Sequence, residues 1–158
     1  MLSLWGTTTG NIIMTFLVSM VPVIELRGAI PLGVLNGLDV GTAMIVSIVG
    51  NLVPVPFIII FIRKIFKWMQ TKSKALAKVV HKMEEKADKR KDQVLKYEFW
   101  GLLLLVAIPL PGTGAWTGAL VAAMLDMQLK RAFPAIFLGV VIAGIIVTIA
   151  TYGVASIF

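Results

Sequence analysis

Two residues of opposite charge, Glu25 and Arg27, stand in the stretch V-P-V-I-E-L-R-G-A-I-P (Val21–Pro31), and the residues on either side, 11–24 and 28–38, carry no ionisable side chain. A carboxylate in apolar surroundings can exchange a proton or balance a cation. A guanidinium offers a planar fork that fits carboxylate or phosphate oxygens. Each charge near a bilayer centre costs about 2.5–3.5 kcal/mol on insertion scales, so a chain that keeps two of them there points to a functional site. A second constellation, Pro109-Leu-Pro111-Gly112-Thr113-Gly114-Ala-Trp116, combines helix breakers with glycines that allow close backbone approach. Asn51, polar within a long apolar run, either lines a cavity or bonds a neighbouring helix.

Other chemistry is poorly provided for. There is no Cys, and the single His81 lies in a charged segment, where it reads as an ordinary solvated side chain. Asp39, between Leu38 and an apolar run, reads as a helix N-cap. No nucleophile with a matching base and no metal-ligand cluster appears, so neither an enzyme, a metal centre nor a cofactor is expected.

The elements that must position these residues are membrane elements. Of 158 residues, 58% are hydrophobic, the mean hydropathy is +0.93, and uncharged blocks cover 40–62, 99–125 and 132–158. Each exceeds the roughly 20 residues needed to cross a hydrocarbon core. The first eleven residues contain neither Lys nor Arg, so no cleaved signal peptide is expected and the first apolar stretch should persist. The net charge of +7 is concentrated: residues 63–96 hold 12 basic and 4 acidic residues, and the rest of the chain carries −1. The positive-inside rule puts that segment in the cytoplasm. Its interspersed acids and flanking membrane segments favour anionic lipid headgroups over nucleic acid as its partner.

In chain order, Trp5 suits a membrane interface. Residues 11–37 span only about 40 Å if wholly helical, too little for two crossings, and Pro22 and Pro31 argue against one regular helix. The expectation is a re-entrant hairpin: a half-helix to about Val23, a turn holding Glu25 and Arg27, and a returning half-helix. Residues 40–62 form a full span, kinked near Asn51 by Pro54 and Pro56. Residues 63–97 form a basic helical linker with a narrow apolar stripe at Leu76, Val80, Met83, Ala87 and Val94. From Glu98 the order repeats: half-helix 99–108, turn 109–114, half-helix 115–124, Leu-Asp, and a closing span 127–158 interrupted by Lys130-Arg131 and Pro134.

Shifting the first half by 87 residues superposes Pro22 on Pro109, Val34 on Val121, Leu38 on Leu125 and Asp39 on Asp126. The predicted fold is therefore an all-α membrane domain over 1–158 with two repeats, 11–62 and 98–158, joined by the linker. Each repeat crosses the membrane once, so the second is inverted, Lys130-Arg131 lies in the cytoplasm, and both termini lie outside the cell membrane. A rival with four complete spans puts Lys130-Arg131 outside, against the positive-inside rule. In the inverted arrangement the two turns meet near the midplane, where half-helix N-termini bind anions. Gly114-x-x-x-Gly118 is also a helix-packing motif, and Trp116 either covers the site or simply packs.

At E-L-R-G-A-I-P (Glu25–Pro31) and P-L-P-G-T-G-A-W-T-G-A (Pro109–Ala119) the chain resembles the bacterial small multidrug export protein family, and more distantly the DedA / SNARE-associated Golgi protein superfamily. The resemblance covers nearly the whole chain. It implies inverted re-entrant hairpins and, from the wider superfamily, lipid scrambling or proton-linked transport of undecaprenyl phosphate. Carried over residue by residue, it marks Glu25 and Arg27, and Pro111, Gly112, Thr113, Gly114 and Trp116. DedA-type proteins usually have an Arg shortly after the second Pro-Gly, where this chain has Thr113, Gly114 and Ala115.

The leading functional expectation is a lipid-phosphate flippase in which Arg27 binds phosphate and Glu25 carries a proton. The alternatives are a proton-coupled exporter of cationic amphiphiles, against which Arg27 argues by repulsion, and a non-transporting scaffold. With so few spans, a homodimer is expected to shield the hairpins.

Overall fold

A computed structural model describes residues 5–89 and 91–153. The ends of the expected domain and of its closing span therefore lie outside the described residues. The secondary structure there is entirely helical, in eight helices: α1 (Thr8–Met20), α2 (Glu25–Leu35), α3 (Val40–Leu52), α4 (Pro54–Lys72), α5 (Lys74–Lys89), α6 (Lys91–Ala107), α7 (Ala115–Met124) and α8 (Leu129–Tyr152). Two helical stretches, Val40–Lys72 and Leu129–Tyr152, contain apolar windows long enough to cross a membrane. Helices α1, α2 and α7 rise only about 20, 16 and 15 Å, roughly half of a 30 Å core.

Helix α1 begins at the Thr7 cap, whose hydroxyl accepts from the Gly10 amide (3.1 Å). It ends at Met20 because Pro22 pushes Val21 into an extended conformation (φ −73°, ψ 127°). Helices α1 and α2 then fold back on one another, with the Asn11 side-chain amide donating to the Asn36 carbonyl and Thr15 packed on Gly33. Asp39 caps α3 as expected, accepting from the Thr42 amide (2.8 Å) and hydroxyl (2.7 Å). Those two donors hold its carboxyl below the usual carboxylate range.

Several boundaries depart from the sequence expectation. The turn of the first hairpin is 21–24, and Glu25 and Arg27 occupy the first turn of α2. Pro31 and Pro134 lie inside α2 and α8 without ending them; neighbouring helices can absorb the freed backbone groups in such packing. The helix starting at Pro54 runs past Arg63 to Lys72, and α6 joins the end of the linker to the half-helix that was expected to start at Phe99. Charge is no bar to helix continuation, and Lys, Arg, Glu and Gln are good helix formers. Of the linker stripe, Leu76 is exposed, while the side chains of Val80, Met83, Ala87 and Val94 lie outside the described residues.

The local backbone also departs from the expected 87-residue pairing of positions. Helix α1 ends at Met20 and α6 at Ala107, an offset of 87. Beyond the turns the offset is 89. Leu38 and Met127 are both buried, and their amides bond back to Gly33 and Ala122. Gly37 and Asp126 both have positive φ, and Asp39 and Gln128 both precede a long helix in extended conformation. The offset thus grows by two, an insertion at the second turn, so Val34, Leu38 and Asp39 do not correspond to Val121, Leu125 and Asp126. Identical residues misled because they sit on the far side of that insertion.

Helix packing relies on small residues: Ala29, Ala43, Ala115, Ala119, Ala122, Ala132 and Ala135 are fully buried, which lets backbones approach closely. A Cβ at Gly50 would come within 2.6 Å of the Phe16 carbonyl on α1, and one at Gly139 within 2.9 Å of the Leu103 carbonyl on α6. We expect Gly50→Ala to destabilise the protein by about 1–3 kcal/mol through overpacking. Gly101→Ala, where nothing lies within 4 Å, should be neutral or stabilising by up to about 1 kcal/mol; thermal unfolding of both variants in detergent checks the contrast.

Helices α3 and α8 run antiparallel: Met44 and Ile48 lie against Gly144, while Asn51 shares a recess with Val140 and Ala143. At one end Arg63 donates to the Met127 carbonyl and its Nε lies 3.4 Å from Asp126. The start of the basic segment and the Lys130-Arg131 pair therefore share that end. Large apolar side chains such as Leu35, Phe57 and Leu104 point outward, a surface suited to lipid.

Candidate functional site

The turns of the two hairpins meet tip to tip. The second turn, 108–114, is organised by Thr113. Its hydroxyl donates to the Ile108 or Leu110 carbonyl (2.7 Å each) and accepts from the Leu110 amide (3.1 Å). This leaves the Leu110 and Thr113 carbonyls facing Arg27. Arg27 Nη1 donates to Leu110, and Nη2 donates to the Thr113 carbonyl (2.9 Å) and hydroxyl (2.8 Å). Its fork thus spans the opposing loop.

Glu25 faces inward from the same turn of α2. It is 4% exposed and has φ +47°, a left-handed conformation rare for a residue with a Cβ. Its Oε1 accepts from the Trp116 amide (3.2 Å), with the Ala115 amide alongside. These are the first two amides of α7, a helix whose N-cap, Gly114, has no capping side chain. Glu25 therefore supplies from the other hairpin the negative charge that a helix N-terminus favours. Gly114 makes room for it: φ is +128°, and a Cβ there would come within 2.8 Å of Glu25 Cδ. The Trp116 indole closes the contact by donating to the Met20 carbonyl at the end of α1 (3.0 Å).

Behind Glu25 lies a recess of about 170 Å³ lined by Asn51, Val106, Val140 and Ala143 among others. Asn51 is 1% exposed, and neither its Oδ1 nor its Nδ2 has a hydrogen-bond partner. The side chains around the recess leave no room for a water-sized molecule, so in this state it is closed to a large amphiphile.

Of the sequence-predicted residues, Glu25, Arg27, Thr113, Gly114, Trp116 and Asn51 come together here. Pro111 and Gly112 sit at the exposed apex of the turn, away from the carboxylate. Glu25 and Arg27 form no ion pair with each other; each is held by the opposite hairpin. Sequence reasoning missed the Leu110 and Met20 carbonyls and the Ala115 amide, because backbone groups leave no residue-type signal.

The family described as "Putative small multi-drug export protein" matches residues 25–146, beginning at Glu25 just after the first turn and including the whole second hairpin. The chain belongs to that family. The match and the apolar helices together identify a membrane protein of the small multi-drug export family. No curated protein and no solved structure matches the chain significantly.

Proposed function

We propose that this family member is a proton-coupled membrane exporter of small amphiphiles in which Glu25 exchanges a proton for the substrate. The observation that carries the reading is a buried carboxylate holding the N-terminus of α7 across the junction of the two hairpins. Protonating it removes the charge that the α7 amides attract, which weakens the junction; ionisation restores it. In the state described the recess is closed to a large molecule, as one end-point of an alternating cycle should be.

The half-length helices support reading both hairpins as re-entrant and the two halves as an inverted repeat with its tips at the midplane. Arg63 beside Asp126 and Met127 supports placing the linker and Lys130-Arg131 on one face, which the positive-inside rule makes cytoplasmic. The base of the first hairpin and both termini then lie outside. On this reading the protein sits in the cell membrane, works as a homodimer and is not an enzyme, and the linker lies against anionic headgroups.

A lipid phosphate, as in the DedA-like transporters, is the second reading. It is favoured by the α7 N-terminus, whose amides already donate to a carboxylate. Arg27 argues against it, since a phosphate would have to displace the Leu110 and Thr113 carbonyls from the guanidinium.

Proteoliposomes loaded with a fluorescent cationic amphiphile and given a pH gradient test the proposal. Export should be gradient-dependent, fall at least tenfold in Glu25→Gln and survive in Glu25→Asp. Gradient-dependent export at full rate in Glu25→Gln excludes it. Movement of a polyprenyl phosphate without any of the amphiphile selects the second reading.

A further inference from the structure

We propose that the small polar side chains buried in the first half, Asn11, Thr15 and Ser19 on α1 with Ser47 and Asn51 on α3, line a path that water enters when the helices part. It carries protons between the base of the first hairpin and Glu25. The proposal rests on the reading of Glu25 as a proton-exchanging carboxylate and supplies that proton's route.

Thr15, Ser19 and Ser47 are 0% exposed and Asn51 is 1% exposed. Thr15 Oγ1, Ser47 Oγ and both polar atoms of the Asn51 amide have no hydrogen-bond partner. Leaving a buried polar group unpaired costs about 1–3 kcal/mol, and helical hydroxyls have an easy local remedy. Thr148 takes it, donating to the Gly144 carbonyl (2.8 Å), and Ser19 donates to Phe16 (2.7 Å). Thr15 and Ser47 do not. Water satisfies such groups where several polar partners converge and the packing opens enough to admit it.

The groups follow one another along the helices. Asn11, beside exposed Gly37 at the hairpin base, is bonded to the Asn36 carbonyl. One turn further on, Thr15 packs between Gly33 and Ala43, and another turn on Ser19 packs against Gly50. Ser47 lies on α3 between those two levels, and Asn51 opens into the recess with Glu25. A hydronium arriving there gives its proton to the Glu25 carboxylate and leaves as water.

The second half carries no such file. At the offsets established above, Thr15 and Ser19 correspond to Leu102 and Val106, and Ser47 and Asn51 to Ile136 and Val140, all buried and apolar. The correspondence is physical: Ser19 meets Gly50 where Val106 meets Gly139. The path therefore reaches one face only, and apolar packing seals the other. A coupled transporter needs that asymmetry to avoid a proton leak. Among the described residues, Arg27 is the charged group that shares the recess with Glu25; α1, α3 and α7 bear no ionisable side chain.

The chain has no cysteine, so single replacements can be read without background. Thr15→Cys, Ser47→Cys, Leu102→Cys and Ile136→Cys would be placed in right-side-out and inside-out vesicles and treated briefly with silver ion, which is small enough for a narrow aqueous path. Thiols left unreacted would be counted with a fluorescent maleimide after denaturation. Thr15→Cys and Ser47→Cys should be protected at least tenfold faster from the outer face, the side of the hairpin base, than from the other, and Leu102→Cys and Ile136→Cys should stay unprotected from both. Equal slow reaction at all four positions would overturn the path in favour of simple packing, and so would equally fast reaction from both faces. The readout needs no transport: one-sided protection would establish the path even if export by Glu25→Gln removed the coupling role of the carboxylate.

Discussion

Gly114→Ala should be among the most damaging substitutions in the chain, lowering stability by more than about 3 kcal/mol and abolishing export. Two independent costs meet at this position. The backbone at φ 128°, ψ −169° lies in a region essentially reserved for glycine, worth roughly 1–3 kcal/mol for any other residue. The added methyl also overlaps the Glu25 carboxylate and would drive it off the α7 amides, leaving a buried charge without partners, a loss of about 3–5 kcal/mol in comparable cases. Gly112→Ala separates the two: φ is +82° but nothing lies within 4 Å, so only conformational strain of about 1–2 kcal/mol should appear. Thermal unfolding followed by tryptophan fluorescence measures both variants. Equal destabilisation would mean that Glu25 does not occupy the α7 N-terminus. A Gly114→Ala, Glu25→Ala double variant should recover part of the loss, since the clashing partners are then gone together.

Arg27→Lys is expected to cost about 2–3 kcal/mol although it keeps the charge. The guanidinium holds two carbonyls and one hydroxyl of the opposite turn through two nitrogens, and hydrogen bonds from a charged donor are worth about 1.5–3 kcal/mol each. A lysine ammonium is a single point donor and cannot bridge Leu110 and Thr113 in the same way. Thr113→Val removes only the hydroxyl and should cost about 1 kcal/mol. If Arg27→Lys unfolds at the same temperature as the unaltered protein, the fork is not what joins the hairpin tips, and the junction must be held by Glu25 on the α7 amides and by the Trp116 indole.

Much of this arrangement is written in residue types. Uncharged blocks longer than a bilayer, Pro22 and Pro109 at helix ends, and the Asp39 cap are local consequences of solvation, a missing amide hydrogen and a short acceptor side chain. The pair Glu25 and Arg27 stood out because charge in apolar sequence is costly wherever the chain goes. The signal for the polar file was also there, in the four-residue spacing of Asn11, Thr15 and Ser19 and of Ser47 and Asn51, but small hydroxyls serve helix packing so often that spacing alone does not separate packing from a path.

The sequence by itself determined the class of protein, the prolines that end its half-helices and the residues bearing its unusual charges, because each depends on interactions within a few residues or on transfer from water to an apolar medium. Tertiary structure decided what those charges touch. It turned Arg27 onto two carbonyls and Glu25 onto two amides of a loop some 90 residues away, and it showed the spacing between like backbone features growing from 87 to 89 residues across the turns. Backbone carbonyls and amides are the same for every residue type, so only the packing of one hairpin against the other could select which of them the side chains would meet.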